Sequence, residues 1–354
     1  MILLEDIDSG DDVAPICRKI LDGLSRPFLV DGNELFVTSS IGISVYPADG
    51  KDASTLLRNA DIAMYRAKEL GRNNYQFYAA DMSAKAFERL SLETNLRHAL
   101  NREEFLLYYQ PQISLVTGRI IGVEALLRWQ HPDFGLVQPA EFIPLLEETG
   151  LIVPVGDWVL QTALTQAKGW QDAGFDPIRV AVNLSSRQFD GVRLKHMLLD
   201  LVEAIGLETQ WIELEITESL LMNNERLTLE MLQMLSATGI RLSIDDFGTG
   251  YSSLSYLKRF PIDTLKIDGS FIRDVTTDPD DAAIVQAIIA MATTLRIDVI
   301  AEGVETKEQL LFLRDRQCAC LQGYLFSTPA PADILTELLR KDNRGETDWH
   351  DVDF

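Results

Sequence analysis

The chain has 354 residues, 46% of them apolar and 24% charged, with a formal net charge of −22. That composition is ordinary for a globular protein and excludes a disordered class. The acidity excludes a general binder of duplex DNA or RNA, which needs a basic face, so any phosphate ligand must meet a cation that the side chains do not supply in bulk. In chain order, the spacing of Val13, Ile16, Cys17, Ile20 and Leu24 predicts a helix over Asp12–Leu24. Alternating Val37, Ile41, Ile43 and Val45 predict β structure over Leu35–Tyr46, closed by Pro47 and Gly50. A second helix follows over Asp52–Leu70, with Gly71 as the residue just past its end. A polar amphipathic helix over Asp81–Asn101 reads as a join.

From Phe105 the texture changes. Apolar β runs alternate with helical segments: Leu106–Ser114, Ile120–Trp129, Val180–Leu184, Ile212–Ile216, Leu242–Ile244, Thr264–Ile267, Val299–Ala301 and Gly323–Phe326. This order predicts an α/β fold, a (β/α)8 TIM-like barrel. Only Leu115–Arg119 separates the first two runs, too short for a crossover helix, so the first strand is expected antiparallel to the second. The expected organisation is a partial α/β domain over 1–80, a connecting helix over 81–101, the barrel over 102–340 and an acidic, frayed tail over 341–354.

Cys17, Cys318 and Cys320 do not make a disulfide framework or a paired zinc motif, and the four histidines are not paired at helical spacing. The N-terminus lacks the basic region of a signal peptide. The stretch Ala282–Ala301 contains Gln286, Arg296 and Asp298, too polar to span a bilayer. A cytoplasmic location without membrane contact by this chain is expected, and a membrane-tethered parent protein is compatible with it.

Polar residues recur at the strand ends, where barrels of this kind carry their sites. They are Glu124 and Arg128 on strand two, Asn183 after strand three, Glu215 and Glu218 at strand four, Asp245 and Asp246 at strand five, Lys266 and Asp268 at strand six, Glu302 and Glu305 at strand seven, and Gln322 and Tyr324 on strand eight. Each alone reads as a helix cap or a solvated loop residue. Together they would place many carboxylates at one mouth, which is costly without counterions. Divalent cations with all-oxygen ligands resolve the conflict and suit Mg2+ or Mn2+ better than zinc. Two such ions, with Arg128 as a phosphate fork and Lys266 placed to orient the attacking water or neutralise charge, would serve an in-line phosphoryl displacement.

Nine motifs in register carry a resemblance: YYQP at Tyr108, EALLRW at Glu124, FIP at Phe142, NLS at Asn183, EITES at Glu215, DDFGTGYSSL at Asp245, LKID at Leu265, AEGVET at Ala301 and QGYLFS at Gln322. From about Glu93 to Leu339 the chain resembles the EAL family of cyclic di-GMP phosphodiesterases. The resemblance implies cleavage of cyclic di-GMP to linear pGpG with two ions, Mg2+ or Mn2+. It implies Glu124, Asn183, Glu215 and Asp245 as ligands of one ion and Asp245 with Asp246 at the other. It implies Lys266 and Glu302 on the hydrolytic water, Glu218 holding the loop after strand five, and Glu305 beside the metals. Gln110, Leu126, Arg128, Asp268, Gln322 and Tyr324 match substrate contacts, and the loop and helix after strand five match a homodimer contact.

Leu146, Gln317, Ala319 and Thr328 depart from the common family pattern, none at a ligand position. Segments Thr38–Pro47 and Asn59–Tyr78 resemble the C-terminal half of a GGDEF, diguanylate cyclase-type, domain without its signature, so no cyclase activity is expected. Lys68 and Arg72 there read as a solvated helix end. Two alternatives remain beside the enzyme: an inactive EAL module that senses the nucleotide or binds a protein, and an unrelated Mg2+-dependent barrel enzyme.

Overall fold

A computed structural model describes residues 1–5, 13–25, 28–30, 33–35, 37–189, 191–221, 225–250, 257–347 and 349. The chain divides into two units, Met1–Asn95 and Leu96–Phe354. In the first, helix Val13–Leu24 buries Val13, Cys17 and Leu21, one stripe at four-residue spacing. Strands β1 (Phe28–Val30) and β2 (Asn33–Leu35) form an antiparallel pair, and β3 (Ile41–Ile43) lies parallel to β4 (Tyr75–Phe77). A parallel pair needs a crossover, supplied by helix Ala53–Glu69. Asp52 caps that helix by accepting from the Thr55 N–H at 2.9 Å. A Cβ on Gly42 would lie 1.9 Å from the Ala60 carbonyl oxygen, so glycine lets the strand approach the helix backbone. The β structure is shorter than the alternation suggested: the partner β4 is only three residues long, and Val37 is exposed. Helix Ala80–Ala99 follows.

The second unit is a closed barrel. Its strands are β5 (Phe105–Ser114), β6 (Ile120–His131), β8 (Arg179–Leu184), β9 (Ile212–Thr217), β10 (Arg241–Phe247), β11 (Thr264–Ile267), β12 (Asp298–Ala301) and β13 (Cys320–Leu321). They pair in that order, and β13 returns to β5. β5 is antiparallel to both neighbours, β6 and β13, as its short connection to β6 requires; β6 and the later strands run parallel. Short strands β7 (Gly135–Val137) and β14 (Ala330–Pro331) extend β6 and β5. Helices cover the outside. Ile152–Asp172 buries Val155, Val159, Ala163 and Trp170 at helical spacing, and Pro279–Leu295 starts with Asp278 accepting from the Asp280 N–H at 2.8 Å.

Two expectations change. The eighth strand is Cys320–Leu321, not Gly323–Phe326. A Cβ on Gly323 would sit 2.1 Å from the Val304 carbonyl oxygen; the chain passes against that backbone and turns, with Phe326 N–H donating to the Gly323 carbonyl at 3.2 Å. Gln322 therefore follows the strand, and Tyr324 lies in the turn. Nor does the described tail fray from Lys341. Helix Ala332–Arg344 continues past it, and Trp349 is buried with its indole N–H on the Gly118 carbonyl at 3.0 Å. Among the described residues no helix is long and apolar enough to cross a membrane.

Candidate active site

Strand alternation decides which side chains enter the barrel. Asn183, Glu215, Asp245 and Lys266 stand on neighbouring parallel strands at or near their C-terminal ends; Glu302 directly follows β12, and Glu124 lies on β6 opposite Gln110. All reach the same mouth. Lys266, only 1% exposed, is the hub. Its Nζ lies 2.7 Å from Glu302, 2.8 Å from Glu215, 3.1 Å from Asp245 and 3.3 Å from Glu124. Asn183 donates its Nδ2 to Glu124 Oε1 at 2.7 Å, and Gln322 donates to Glu124 Oε2 at 2.6 Å.

Asp245 and Asp246 occupy an irregularity where the register of β10 on β11 shifts between Ile244 and Phe247. Asp246 has φ of 53°, the left-handed region, so two consecutive aspartates turn toward one place at the cost of backbone strain. The loop beyond is held from beneath: buried Glu218 accepts the Gly248 and Gly250 N–H groups at 3.1 and 3.3 Å through Oε2. A Cβ on Gly250 would meet Glu218 Oε1 at 2.5 Å, so this glycine admits the carboxylate. The expected helix start at Ser252–Ser253 falls outside the described residues.

Of the residues matched to substrate, Gln110 and Gln322 are buried, and Gln322 Nε2 also donates to Gln110 Oε1 at 3.1 Å. Arg128 lies 5.4 Å above the Tyr108 ring, beside half-buried Leu126 on the same strand. Tyr324 is exposed at the turn. Asp268 caps helix Gly269–Arg273, accepting from the Ser270 N–H at 2.8 Å. Glu305 stands apart: it is exposed on the loop after Glu302, with its backbone N–H held by Gln309 at 2.8 Å. Sequence reasoning passed over Gln112, buried one inward position along β5 from Gln110, and Glu147, whose carboxylate accepts from Ser185 Oγ at 2.6 Å just after Asn183. The i, i+2 spacing of Gln110 and Gln112 was the available signal.

The electrostatics expose a deficit. One lysine faces four carboxylates. Burial pushes the Glu302 carboxyl up to about 8, with Lys266 opposing and Asp245 and Glu124 adding to the rise. Burial, then the Glu124 charge, pushes Glu215 well above the ordinary range. Burial also raises Asp246, with Asp245, to about 6. Glu124 goes down: burial opposes this, but Lys266 and the amides of Gln322 and Asn183 prevail. Lys266 rises because the surrounding carboxylates outweigh its burial.

Two groups of carboxylates have oxygens within 4.8 Å of one another: Glu124, Glu215 and Asp245, and Asp245, Asp246 and Glu302. Glu215 Oε1 is buried without a hydrogen-bond partner. An orphaned oxygen inside an uncompensated all-oxygen cluster fits a hard divalent cation.

Comparisons with known proteins identify the family. Residues 93–329 match the EAL domain family, and residues 1–74 match the family described as diguanylate cyclase, GGDEF domain. The chain is 46% identical over 334 residues to the bifunctional diguanylate cyclase/cyclic di-GMP phosphodiesterase MucR of Pseudomonas aeruginosa, covering 94% of this chain and 49% of that protein. It is 42% identical over 338 residues to the cyclic di-GMP phosphodiesterase NbdA of Pseudomonas aeruginosa, covering 96% of this chain and 43% of that one. The chain thus spans about half the length of the curated relatives it matches. The solved PaMucR phosphodiesterase in complex with c-di-GMP superposes with a TM-score of 0.67 at 48% identity, over 69% of this chain and 99% of that one. By its barrel and the match across residues 93–329, this chain belongs to the EAL domain family.

Proposed function

We propose that this chain hydrolyses one phosphodiester of cyclic di-GMP to linear pGpG, using two divalent cations, Mg2+ or Mn2+, at the barrel mouth. The observation that carries the reading is the charge deficit around Lys266 with the orphaned oxygen of Glu215. The relatives named as cyclic di-GMP phosphodiesterases support the substrate. Glu124, Asn183, Glu215 and Asp245 would hold one ion, and Asp245 with Asp246 the other. When bound, such ions acidify water and neutralise charge on a phosphoryl group.

The chain's own residues do the rest. Glu302, on the Lys266 ammonium at 2.7 Å, accepts the proton of the attacking water at its carboxylate. The water oxygen bonds to phosphorus, the bond from phosphorus to the ribose O3′ breaks, and that oxygen takes a proton from solvent. Lys266 holds Glu302 in place and offsets negative charge in the transition state. Arg128, seated on Tyr108, offers a donor fork to a phosphate oxygen. Gln110, Leu126, Asp268, Gln322 and Tyr324 contact the rest of the substrate, and Glu305 lies on the rim. Glu218 braces the loop through the Gly248 and Gly250 amides. A homodimer formed through that loop and the helix after it would couple assembly to the geometry of Asp245 and Asp246. The activity belongs in the cytoplasm, where the three free cysteines stay reduced.

The test is turnover of cyclic di-GMP, followed chromatographically, against Mg2+ or Mn2+ with EDTA as control. Metal-dependent appearance of pGpG is expected. Turnover that persists in EDTA overturns the metal mechanism, and nucleotide binding without turnover favours a sensing module.

A further inference from the structure

Beneath the mouth lies a chain of amides that the assigned roles do not account for. Gln112 on β5 is 1% exposed. Its Nε2 donates to Gln322 Oε1 at 3.2 Å. Gln322 Nε2 then donates to Glu124 Oε2 at 2.6 Å and Gln110 Oε1 at 3.1 Å, and Gln110 Nε2 ends the chain on the Ser327 carbonyl at 3.1 Å. Every donor points the same way along this chain.

The backbone makes room for it. Opposite Gln112 stands Gly122, where a Cβ would lie 2.8 Å from Gln112 Oε1. Immediately after Gln112 the β5–β6 register shifts. A bulge beside a glycine is a means of aiming one side chain.

A primary amide has one donor end and one acceptor end. With Gln112 donating to its oxygen, Gln322 has only its NH2 left for Glu124. Turned over, Gln322 would set its carbonyl against a buried carboxylate. We propose that Gln112 is a positioning residue for the metal centre: by fixing the polarity of the Gln322 amide, it holds Glu124 in the orientation in which it ligates a divalent cation. This rests on the reading of Glu124 as a metal ligand. Outer partners of this kind are typically worth about 10–100-fold in metal affinity.

The experiment measures Mn2+ affinity by electron paramagnetic resonance on the nucleotide-free chain, with thermal melting to confirm folding. Q112M keeps length and bulk beside Gly122 and removes the donor. A roughly tenfold weaker Mn2+ affinity is expected at near-normal melting temperature. The double variant Q112M/Q322M should bind Mn2+ no more weakly than Q322M alone, because Gln112 acts only through Gln322. A packing role instead predicts additive losses. Equal Mn2+ affinity of wild type and Q112M, or additivity in the double variant, overturns the inference alone. Absence of Mn2+ binding by the wild type overturns the metal reading and this inference with it.

Discussion

The two ends of the barrel bury charge in opposite ways. At the floor, Glu213 accepts from Arg179 at 3.3 Å and faces Arg241 at 3.6 Å, and Arg241 reaches Asp298 at 2.8 Å: two cations for two carboxylates. At the mouth, Glu124, Glu215, Asp245 and Glu302 share the one ammonium of Lys266, and Asp246 lies against Asp245 and Glu302. The same strands supply both ends. Arg179 precedes Asn183, Arg241 precedes Asp245, and Asp298 precedes Glu302 by an even number of residues on one face. Charge at the floor is balanced where it stands, whereas charge at the mouth is left short by what the proposed cations would bring.

The largest test of that contrast removes a carboxylate from the mouth. Glu124→Ala should take turnover down by about a thousandfold or more, because an ion contributes several kcal/mol of transition-state stabilisation. The fold should survive with a melting temperature lowered by a few degrees, since Asn183 and Gln322 lose an acceptor while Lys266 keeps three other carboxylates. Turnover assays paired with thermal melts check it, and a collapse of the fold would mean that the mouth, like the floor, is built for stability.

Next is Glu302→Gln, which keeps shape and removes the carboxylate proposed as the base. kcat should fall by about 10²–10⁴ with KM close to wild type. Steady-state kinetics at saturating metal decide it: a raised KM at near-normal kcat would make Glu302 a binding residue only.

The floor should answer in the other currency. Glu213→Ala leaves Arg179 and Arg241 facing each other without their shared carboxylate. The expected loss is about 2–4 kcal/mol in denaturant unfolding, less than for a fully buried pair because the arginine side chains are 16% and 28% exposed. Turnover per folded molecule should stay within about twofold, since Glu213 is held by the floor arginines and supplies no ligating atom. A large loss of turnover in a stable Glu213→Ala protein would erase the distinction between the two ends.

The mouth was far more legible in the sequence than the floor. Acidic residues closing apolar β runs, as in LEITES and LSIDDF, announce themselves because they recur at the ends of several strands that share one mouth. The floor residues open their strands, where Arg179 or Asp298 looks like any solvated terminal charge; only the alternation of Glu213 with Glu215 in a buried strand hinted otherwise. Gln112 was faint for a different reason, marked by no more than its spacing of two from Gln110. A glutamine in an apolar strand reads as an outward position until closure of the barrel shows which face is inside. The eighth strand was misplaced because Tyr324, Leu325 and Phe326 have the stronger β preference, while the strand itself uses Cys320 and Leu321, with cysteine acting as a small buried apolar residue. The tight passage of Gly323 past Val304, which settles the matter, is a tertiary contact that no local pattern encodes.

The subtlest expected effect is on pH dependence without metal. Burial raises the Glu302 carboxyl from 4.5 to about 8, so between those values the folded chain retains a proton that the unfolded chain has released. Stability should therefore fall as pH rises through that window and level off above it. Glu215 and Asp246, also raised, add in the same direction. Glu124, held below its ordinary 4.5, works oppositely, losing stability only as pH falls beneath that value. Divalent cations bind the deprotonated cluster, so the stabilisation they confer should grow as pH rises across the same range. The measurement is a melting temperature at each of several pH values with EDTA and with Mg2+. The metal-free curve should drop by a few degrees between about pH 5 and pH 8, and the two curves should diverge. Glu302→Gln should flatten the metal-free curve, and Glu213→Ala should shift it down without changing its slope. A metal-free melting temperature that does not vary across the window would show that the mouth carboxylates are solvated rather than crowded, and the contrast between the two ends of the barrel would lose its physical basis.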